Sequence, residues 1–297
     1  MKIGLIDVDS HKFPNLALMK ISAWHKAKQD SVEWWNGFRF YDIVYQSKVF
    51  DNNYSPDIPE PYNCDKLIKG GTGYNLTDKL PKEIERCCPD YSLYPKLTKN
   101  VAYGFLTRGC PRNCKFCIVS KKEGKKSIQV GELSDFYQGQ REIKLLDPNL
   151  LACKTHENLL QDLSKSGAWV DFTQGLDIRL INKDNISLIN QMKIKMIHFA
   201  WDNPKEDILD YFQKFNRLTT VKEERKKRVY VLTNFNSTHE EDLDRVYTLR
   251  KLKFDPYIMI YNKWEAPRET RLLQRWCNNK LIYRAQPDFA KYDPRMG

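Results

Sequence analysis

Apolar and polar residues are arranged in short blocks that predict strands followed by helices. Residues 2–8 form an apolar run typical of a buried strand, and residues 15–28 carry apolar side chains at helical spacing. Further strands are predicted at residues 31–35, 41–45 and 66–69. Alternation of this kind predicts a small, doubly wound α/β domain over residues 1–75.

A second α/β region is predicted beyond residues 76–100, a segment without periodicity that we interpret as a linker. Its strands are predicted at residues 101–106, 143–146, 170–173, 196–200, 229–233 and 257–260. Helical spacing occurs at residues 157–166, 185–191, 205–216 and 240–251. Repeated strand–helix units favour parallel strands, in an open sheet or a full or partial barrel over residues 101–262. Residues 263–297 are predicted to form a helical, basic extension.

The charge balance indicates what kind of partner the protein has. The 297 residues include 49 Lys or Arg and 38 Asp or Glu, and the formal net charge of +11 favours phosphates, nucleotides or nucleic acid. The dense basic stretch at residues 223–228 is interpreted as a solvated loop. No apolar run is long enough to cross a bilayer, and the first residues do not resemble a signal peptide. We therefore expect a soluble, cytoplasmic protein without a membrane partner.

Three of the eight cysteines lie close together in the sequence. Cys110, Cys114 and Cys117 are spaced C-x3-C-x2-C directly after a predicted strand, and glycine, proline and asparagine at neighbouring positions favour a turning loop. Thiolates are the ligands of iron–sulfur clusters, and three of them would leave one iron of a cubane open. The alternatives are a structural zinc site, which normally needs four ligands, or unrelated buried thiols.

Phe116 stands directly before the last of these cysteines, so the loop resembles the C-x3-C-x-aromatic-C signature of the radical S-adenosylmethionine superfamily. The resemblance covers roughly residues 100–260 and implies a partial parallel (β/α) barrel. It also implies a [4Fe–4S] cluster whose open iron chelates the amino and carboxylate groups of S-adenosylmethionine. A reductant such as flavodoxin or ferredoxin would then drive cleavage of the sulfonium to methionine and a 5′-deoxyadenosyl radical, which abstracts hydrogen from the substrate.

The resemblance places the ligands of S-adenosylmethionine at the carboxyl ends of the strands. Arg179 suits bidentate pairing with the cofactor carboxylate, although a surface salt bridge is an equal alternative. His198 is interpreted as a core histidine. Asp147 occupies the place of a glycine-rich motif that this chain lacks. The candidate cofactor-binding residues are Asp147, Asn149, Gln174, Asp177, Arg179, Asp202 and Asn234.

Residues 1–75 resemble the Rossmann-like, cobalamin-binding domain that some members of this superfamily carry. Asp9 and His11 match the start of the cobalamin signature, and Ser47 and the Gly70-Gly71 pair resemble its later parts, but a proline replaces the first glycine. His11, oriented by Asp9, would be the cobalt ligand. The alternative is a degenerate domain that shapes substrate access. The glycines at 70–73 are interpreted as a turn and not as a phosphate loop.

Two classes of function follow from these patterns. The first is a radical enzyme acting on an anionic substrate such as a tRNA or nucleotide, or on a small molecule or peptide. Methylthio transfer is disfavoured because the chain has no second cysteine cluster. The second is a non-catalytic, zinc-stabilised nucleic-acid-binding protein, in which basic residues of the tail contact phosphates. Those residues are Arg271, Arg275, Lys280 and Arg284, whereas Trp276 and Tyr283 are interpreted as capping a core.

Overall fold

The computed structural model describes residues 1–10 and 12–295 and has a mixed α/β fold. The chain divides into two compact units. The first consists of Met1–Phe105 and Gly131–Ile143, and the second of Leu106–Val130 and Lys144–Gly297. The prediction of an α/β protein with parallel sheets is confirmed. Within the described residues, no helix has the length and apolar character needed to span a membrane.

A four-stranded parallel sheet forms the centre of the first unit. Its strand order is β2-β1-β3-β4, with α1 between the first two strands of the chain. Asn15 caps α1 by accepting a hydrogen bond from the backbone N–H of Leu18. Leu18 packs with Ile3 and Leu5 in the core. The elements are β1 (Lys2–Asp7), α1 (Leu16–Ala27), β2 (Ser31–Trp34), β3 (Tyr41–Ser47), β4 (Cys64–Gly70) and α2 (Lys82–Glu85).

The first unit differs from the prediction in its connections. Neither the β2–β3 nor the β3–β4 connection contains a helix, so the expected doubly wound arrangement is wrong. The β3–β4 segment is rich in Pro, Asn and Asp and has no helical spacing of apolar residues, so it cannot cover a sheet face as a helix would. The segment 76–100 contains α2, from which Ile84 packs into the core with Ile3 and Leu5.

A six-stranded sheet has the order β12-β11-β10-β9-β8-β5. From β8 onward its strands follow one another in chain order, each connected to the next by a helix, and the order is open at both ends. The elements are β5 (Val101–Gly104), β6 (Thr107–Arg108), α3 (Val119–Lys122), β7 (Ile128–Gln129), β8 (Glu142–Leu145), α4 (His156–Lys165), β9 (Trp169–Phe172), α5 (Lys183–Asn190), β10 (Lys193–Ala200), α6 (Leu209–Leu218), β11 (Lys227–Thr233), α7 (His239–Lys251), β12 (Asp255–Ile260), α8 (Arg268–Asn278) and α9 (Lys280–Ala285).

The two faces of this sheet differ in polarity. Phe199 of β10 packs edge-to-face on Phe212 and Phe215 of α6, so this face is covered by helices. Successive residues of a strand point to opposite faces, so His198 lies on the other side, where its ring stacks on Tyr230 of β11. The face opposite α6 therefore carries at least these two polar side chains, and His198 is buried there.

The carboxyl-terminal helices contribute to a core. Trp276 is fully buried in α8, and its ring lies 4.9 Å from that of Tyr283 and 5.5 Å from that of Phe289. The interpretation of Trp276 and Tyr283 as core-capping residues is confirmed by this burial. Lys280 forms a 2.6 Å salt bridge with Asp255 of β12, so this basic residue stabilises the fold.

Candidate metal centre

Two very short strands close the loop that carries the three cysteines. β6 and β7 pair antiparallel, with Thr107 opposite Gln129 and Arg108 opposite Ile128. The backbone N–H of Cys110 donates to the carbonyl of Gly124 at 3.1 Å, and that of Cys117 donates to the carbonyl of Cys114 at 3.0 Å. The three cysteines therefore lie on one loop whose two ends are joined by the β6–β7 pair.

Glycine is required at the start of this loop for two reasons. Gly109 has a φ of +87°, in the left-handed region that disfavours other residues. A Cβ atom at this position would also lie 2.2 Å from the carbonyl oxygen of Lys126. Any side chain would therefore push the two arms of the loop apart next to Cys110.

Replacing Gly109 with Ala should displace the loop and lower the iron content of the reconstituted protein by at least roughly tenfold, because both strain and steric clash act there. Gly124→Ala is the matched control. Gly124 has a similar φ of +100°, but no atom lies within 4 Å of its added Cβ. This control should cost only about 1 kcal/mol of backbone strain and keep its iron. Equal iron contents in the two variants would contradict the prediction.

The three thiols of the loop are all partly buried. Burial raises the pKa of Cys114 and of Cys117, as expected for thiols that are partly withdrawn from solvent. Within the described residues, no group of three or more His, Cys, Asp or Glu side chains is placed so that it could hold a metal ion. In a cubane cluster each thiolate binds a different iron, so the three ligands do not surround one metal ion. Such a cluster requires three thiols from one loop, and this chain supplies them.

Asp147 holds the start of the cysteine loop. Its buried carboxylate accepts hydrogen bonds from the backbone N–H of Leu106 at 3.2 Å and from the hydroxyl of Thr107 at 2.7 Å, and also from the backbone N–H of Thr107. Burial raises the pKa of Asp147 to about 6. Because these contacts use the carboxylate, the structure places Asp147 as a residue that positions the loop.

Asn149 lies directly beside the first cysteine. Its side-chain amide donates to Sγ of Cys110 at 3.6 Å, while its backbone carbonyl accepts from the hydroxyl of Ser127. Its Oδ1 atom is buried and has no hydrogen-bond partner among the described residues. The hydroxyl of Thr173, just after β9, is likewise buried without a partner in the described chain. Orphaned polar atoms of this kind are costly, so both positions suit a ligand that donates hydrogen bonds.

A chain of ion pairs connects three loops of the second unit. Arg179 donates through Nε to Asp177 at 2.6 Å and through a terminal nitrogen to Glu206 at 2.8 Å. The other oxygen of Glu206 accepts from Arg112 of the cysteine loop at 2.7 Å. Sequence reasoning missed Arg112 and Glu206. Glu206 lies in a segment predicted to be helical, whereas α6 begins only at Leu209.

The remaining candidates are distributed differently around the second unit. Burial raises the pKa of Asp202 to about 6, and the charge of Asp202 raises the pKa of Cys114, so this carboxylate lies near the cysteine loop. Gln174 is exposed. Asn234 has a φ of +61° and donates to the carbonyl of Tyr261 at 2.8 Å, so it shapes the end of β11. Asp202 therefore interacts electrostatically with the cysteine loop, Gln174 faces solvent, and Asn234 is hydrogen-bonded to the residue that follows β12.

His198 is a core histidine, as its sequence position favoured. Its Nδ1 lies 3.0 Å from the carbonyl oxygen of Phe172, and its side chain is buried. Burial lowers the pKa of His198 to about 4. The ring is consequently neutral at physiological pH, and its Nδ1–H donates to that carbonyl.

The described residues that resemble a cobalamin signature make contacts within the first unit. Both carboxylate oxygens of Asp9 accept backbone N–H groups, those of Val49 and Phe50, and the hydroxyl of Ser47 accepts from the side-chain amide of Asn15. A Cβ at Gly71 would lie 2.3 Å from the carbonyl oxygen of Lys48, so that turn is packed against the chain. The expected cobalt ligand, His11, lies outside the described residues.

No protein-family model matches the chain, and no curated protein shows significant similarity to it.

Proposed function

We propose that the protein is a radical S-adenosylmethionine enzyme whose [4Fe–4S] cluster is held by Cys110, Cys114 and Cys117. The observation that carries the proposal is three thiols on one loop, closed by β6 and β7 and fixed at its start by a buried carboxylate. When bound, the cluster supplies the electron for reductive cleavage of the sulfonium of S-adenosylmethionine. The task of the protein is to position this chemistry and to exclude competing reactants.

Polar side chains of the second unit suit the polar parts of S-adenosylmethionine. The buried acceptors on Asn149 and Thr173 suit its ammonium group, because an N–H donor would satisfy them. The guanidinium groups of Arg112 and Arg179 suit its carboxylate, since arginine pairs with carboxylates in a fork geometry. Asp202 suits the hydroxyl groups of a ribose. These residues would orient the cofactor by hydrogen bonds and charge.

Charge and thiol chemistry support the remaining parts of the proposal. The net charge of +11 supports an anionic substrate such as a nucleotide or tRNA. All eight cysteines are free, which supports a reducing compartment such as the cytoplasm, where flavodoxin or ferredoxin would donate the electron. The alternative of a zinc-stabilised nucleic-acid-binding protein has less support, because Trp276 and Tyr283 are buried and Lys280 pairs with Asp255.

The proposal is tested by anaerobic reconstitution with iron and sulfide, followed by reduction in the presence of S-adenosylmethionine. We expect a brown protein with about four irons per chain that releases 5′-deoxyadenosine. The rate should rise with the true substrate among candidate nucleotides and RNAs. A colourless protein that retains zinc, or a brown protein that never yields 5′-deoxyadenosine, would contradict the proposal.

A further inference from the structure

Glu206 joins two arginines that come from different loops. One carboxylate oxygen lies 2.7 Å from Arg112, inside the cysteine loop, and the other lies 2.8 Å from Arg179, in the loop after β9. Glu206 itself lies in the loop after β10. Two guanidinium groups therefore converge on one carboxylate at the carboxyl ends of neighbouring parallel strands, which is the edge where α/β sheets bind ligands.

The two arginines differ in the ion pairs that they form besides the one with Glu206. Arg179 keeps a second ion pair with Asp177, whose carboxylate is 6% exposed and also accepts the backbone N–H of Arg179. Arg112 has no other ion pair in the described chain, and its side chain is 38% exposed. Ion pairs that are this accessible to solvent exchange at low cost. Glu206 can thus leave while Arg179 stays oriented.

We propose that Arg112 and Arg179 form a carboxylate-binding pair and that Glu206 occupies it in the ligand-free protein. Glu206 is then an internal competitor for the methionine carboxylate of S-adenosylmethionine. The inference rests on the proposed function, because it names what this cofactor displaces. The exchange replaces one carboxylate with another, so the charge at the two guanidinium groups does not change.

A carboxylate elsewhere in the chain provides a matched control. Glu223 also contacts two basic side chains, Arg225 and Lys226, each at 2.6 Å. Its partners lie within three residues of it, in the connection before β11. The Glu223→Gln variant therefore removes the same charge and the same kind of bridge without touching the candidate site.

The test is equilibrium binding to the reconstituted full-length protein with its cluster oxidised, so that no turnover occurs. The ligands are S-adenosylmethionine, S-adenosylhomocysteine and an S-adenosylmethionine analogue that lacks the carboxylate. In Glu206→Gln we expect the Kd of the first two to fall roughly three- to tenfold, because the competing charge is gone. The carboxylate-free analogue is a cation and should not bind more tightly. Glu223→Gln should leave all three values unchanged.

A variant of Arg112 tests the same carboxylate-binding pair by weakening it. Arg112→Gln, at an exposed side chain, should raise the Kd of S-adenosylmethionine roughly tenfold or more and leave that of the carboxylate-free analogue unaffected. Unchanged or weaker binding of S-adenosylmethionine by a folded, iron-loaded Glu206→Gln variant would overturn the inference. Equal tightening of the carboxylate-free analogue would do the same. If the wild-type protein binds S-adenosylmethionine and only these differences fail, the inference is wrong and the proposed function stands.

Discussion

The Cys114→Ala variant is expected to lose essentially all of its cluster, with neither the broad visible absorption nor the iron and sulfide content of the reconstituted wild type. A cubane held by three thiolates already has one iron without a protein ligand, and removing Cys114 leaves two such irons. Cys110 and Cys117 lie on the same closed loop, so no rearrangement of that loop supplies a third sulfur. Iron and sulfide per chain, measured after anaerobic reconstitution, test this directly.

A cysteine outside the loop serves as the control for this experiment. Cys64 lies on β4 in the first unit, and its partly exposed thiol contacts the carbonyl oxygen of Pro61 at 3.8 Å. The Cys64→Ala variant should reconstitute like the wild type, because it removes a thiol of similar exposure from a different unit. A full iron content in the Cys114→Ala variant would rule out the proposed ligand set.

The second large effect is expected at Asp147. The Asp147→Ala variant removes the acceptor for the backbone N–H groups of Leu106 and Thr107 and for the Thr107 hydroxyl, all in a buried site. Leaving such donors unsatisfied should lower the free energy of unfolding by about 3–5 kcal/mol. Urea denaturation followed by circular dichroism measures this loss. The Asp147→Asn variant keeps one acceptor oxygen and should lose less.

The wild type and the Asp147→Asn variant should also differ in how their free energy of unfolding depends on pH. Burial raises the pKa of Asp147 from 3.8 to about 6, so the folded protein binds this proton more tightly than the unfolded chain does. The resulting stabilisation is present below about pH 4 and is lost as the pH rises through about 6, a total of about 3 kcal/mol. The Asn side chain does not titrate, so from pH 4 to pH 7 the wild type should lose about this much stability relative to Asp147→Asn.

Other titrating groups cancel in this comparison. The pKa of Asp202 is also raised to about 6 by burial, but Asp202 is present in both proteins. Only the difference between the two unfolding free energies reports on Asp147. Parallel pH profiles for the wild type and the Asp147→Asn variant would show that the Asp147 carboxyl does not bind its proton more tightly in the folded state.

Periodicity predicted most of the regular structure because it reports burial directly. The strand predicted at residues 229–233 is β11 (Lys227–Thr233), and the helix predicted at 240–251 is α7 (His239–Lys251). The strands β6 and β7 are only two residues each, too short to show any alternation. The connections of the first unit were predicted wrongly for a different reason. The positions of strands in a sequence do not reveal whether the segments between them are helical.

The sequence by itself determined the proposed ligand set, because Cys110, Cys114 and Cys117 lie within eight positions and share a loop in any fold. Closeness along the chain is sufficient to bring these three ligands together. Only the tertiary structure decided what surrounds it. Arg112, in the cysteine loop, and Glu206, in the loop after β10, are 94 residues apart and meet only in the folded chain. The same packing buried the Asp147 carboxylate against Leu106 and Thr107 at the start of the cysteine loop. Contacts between residues this far apart in the sequence depend on strand order, which no local pattern encodes.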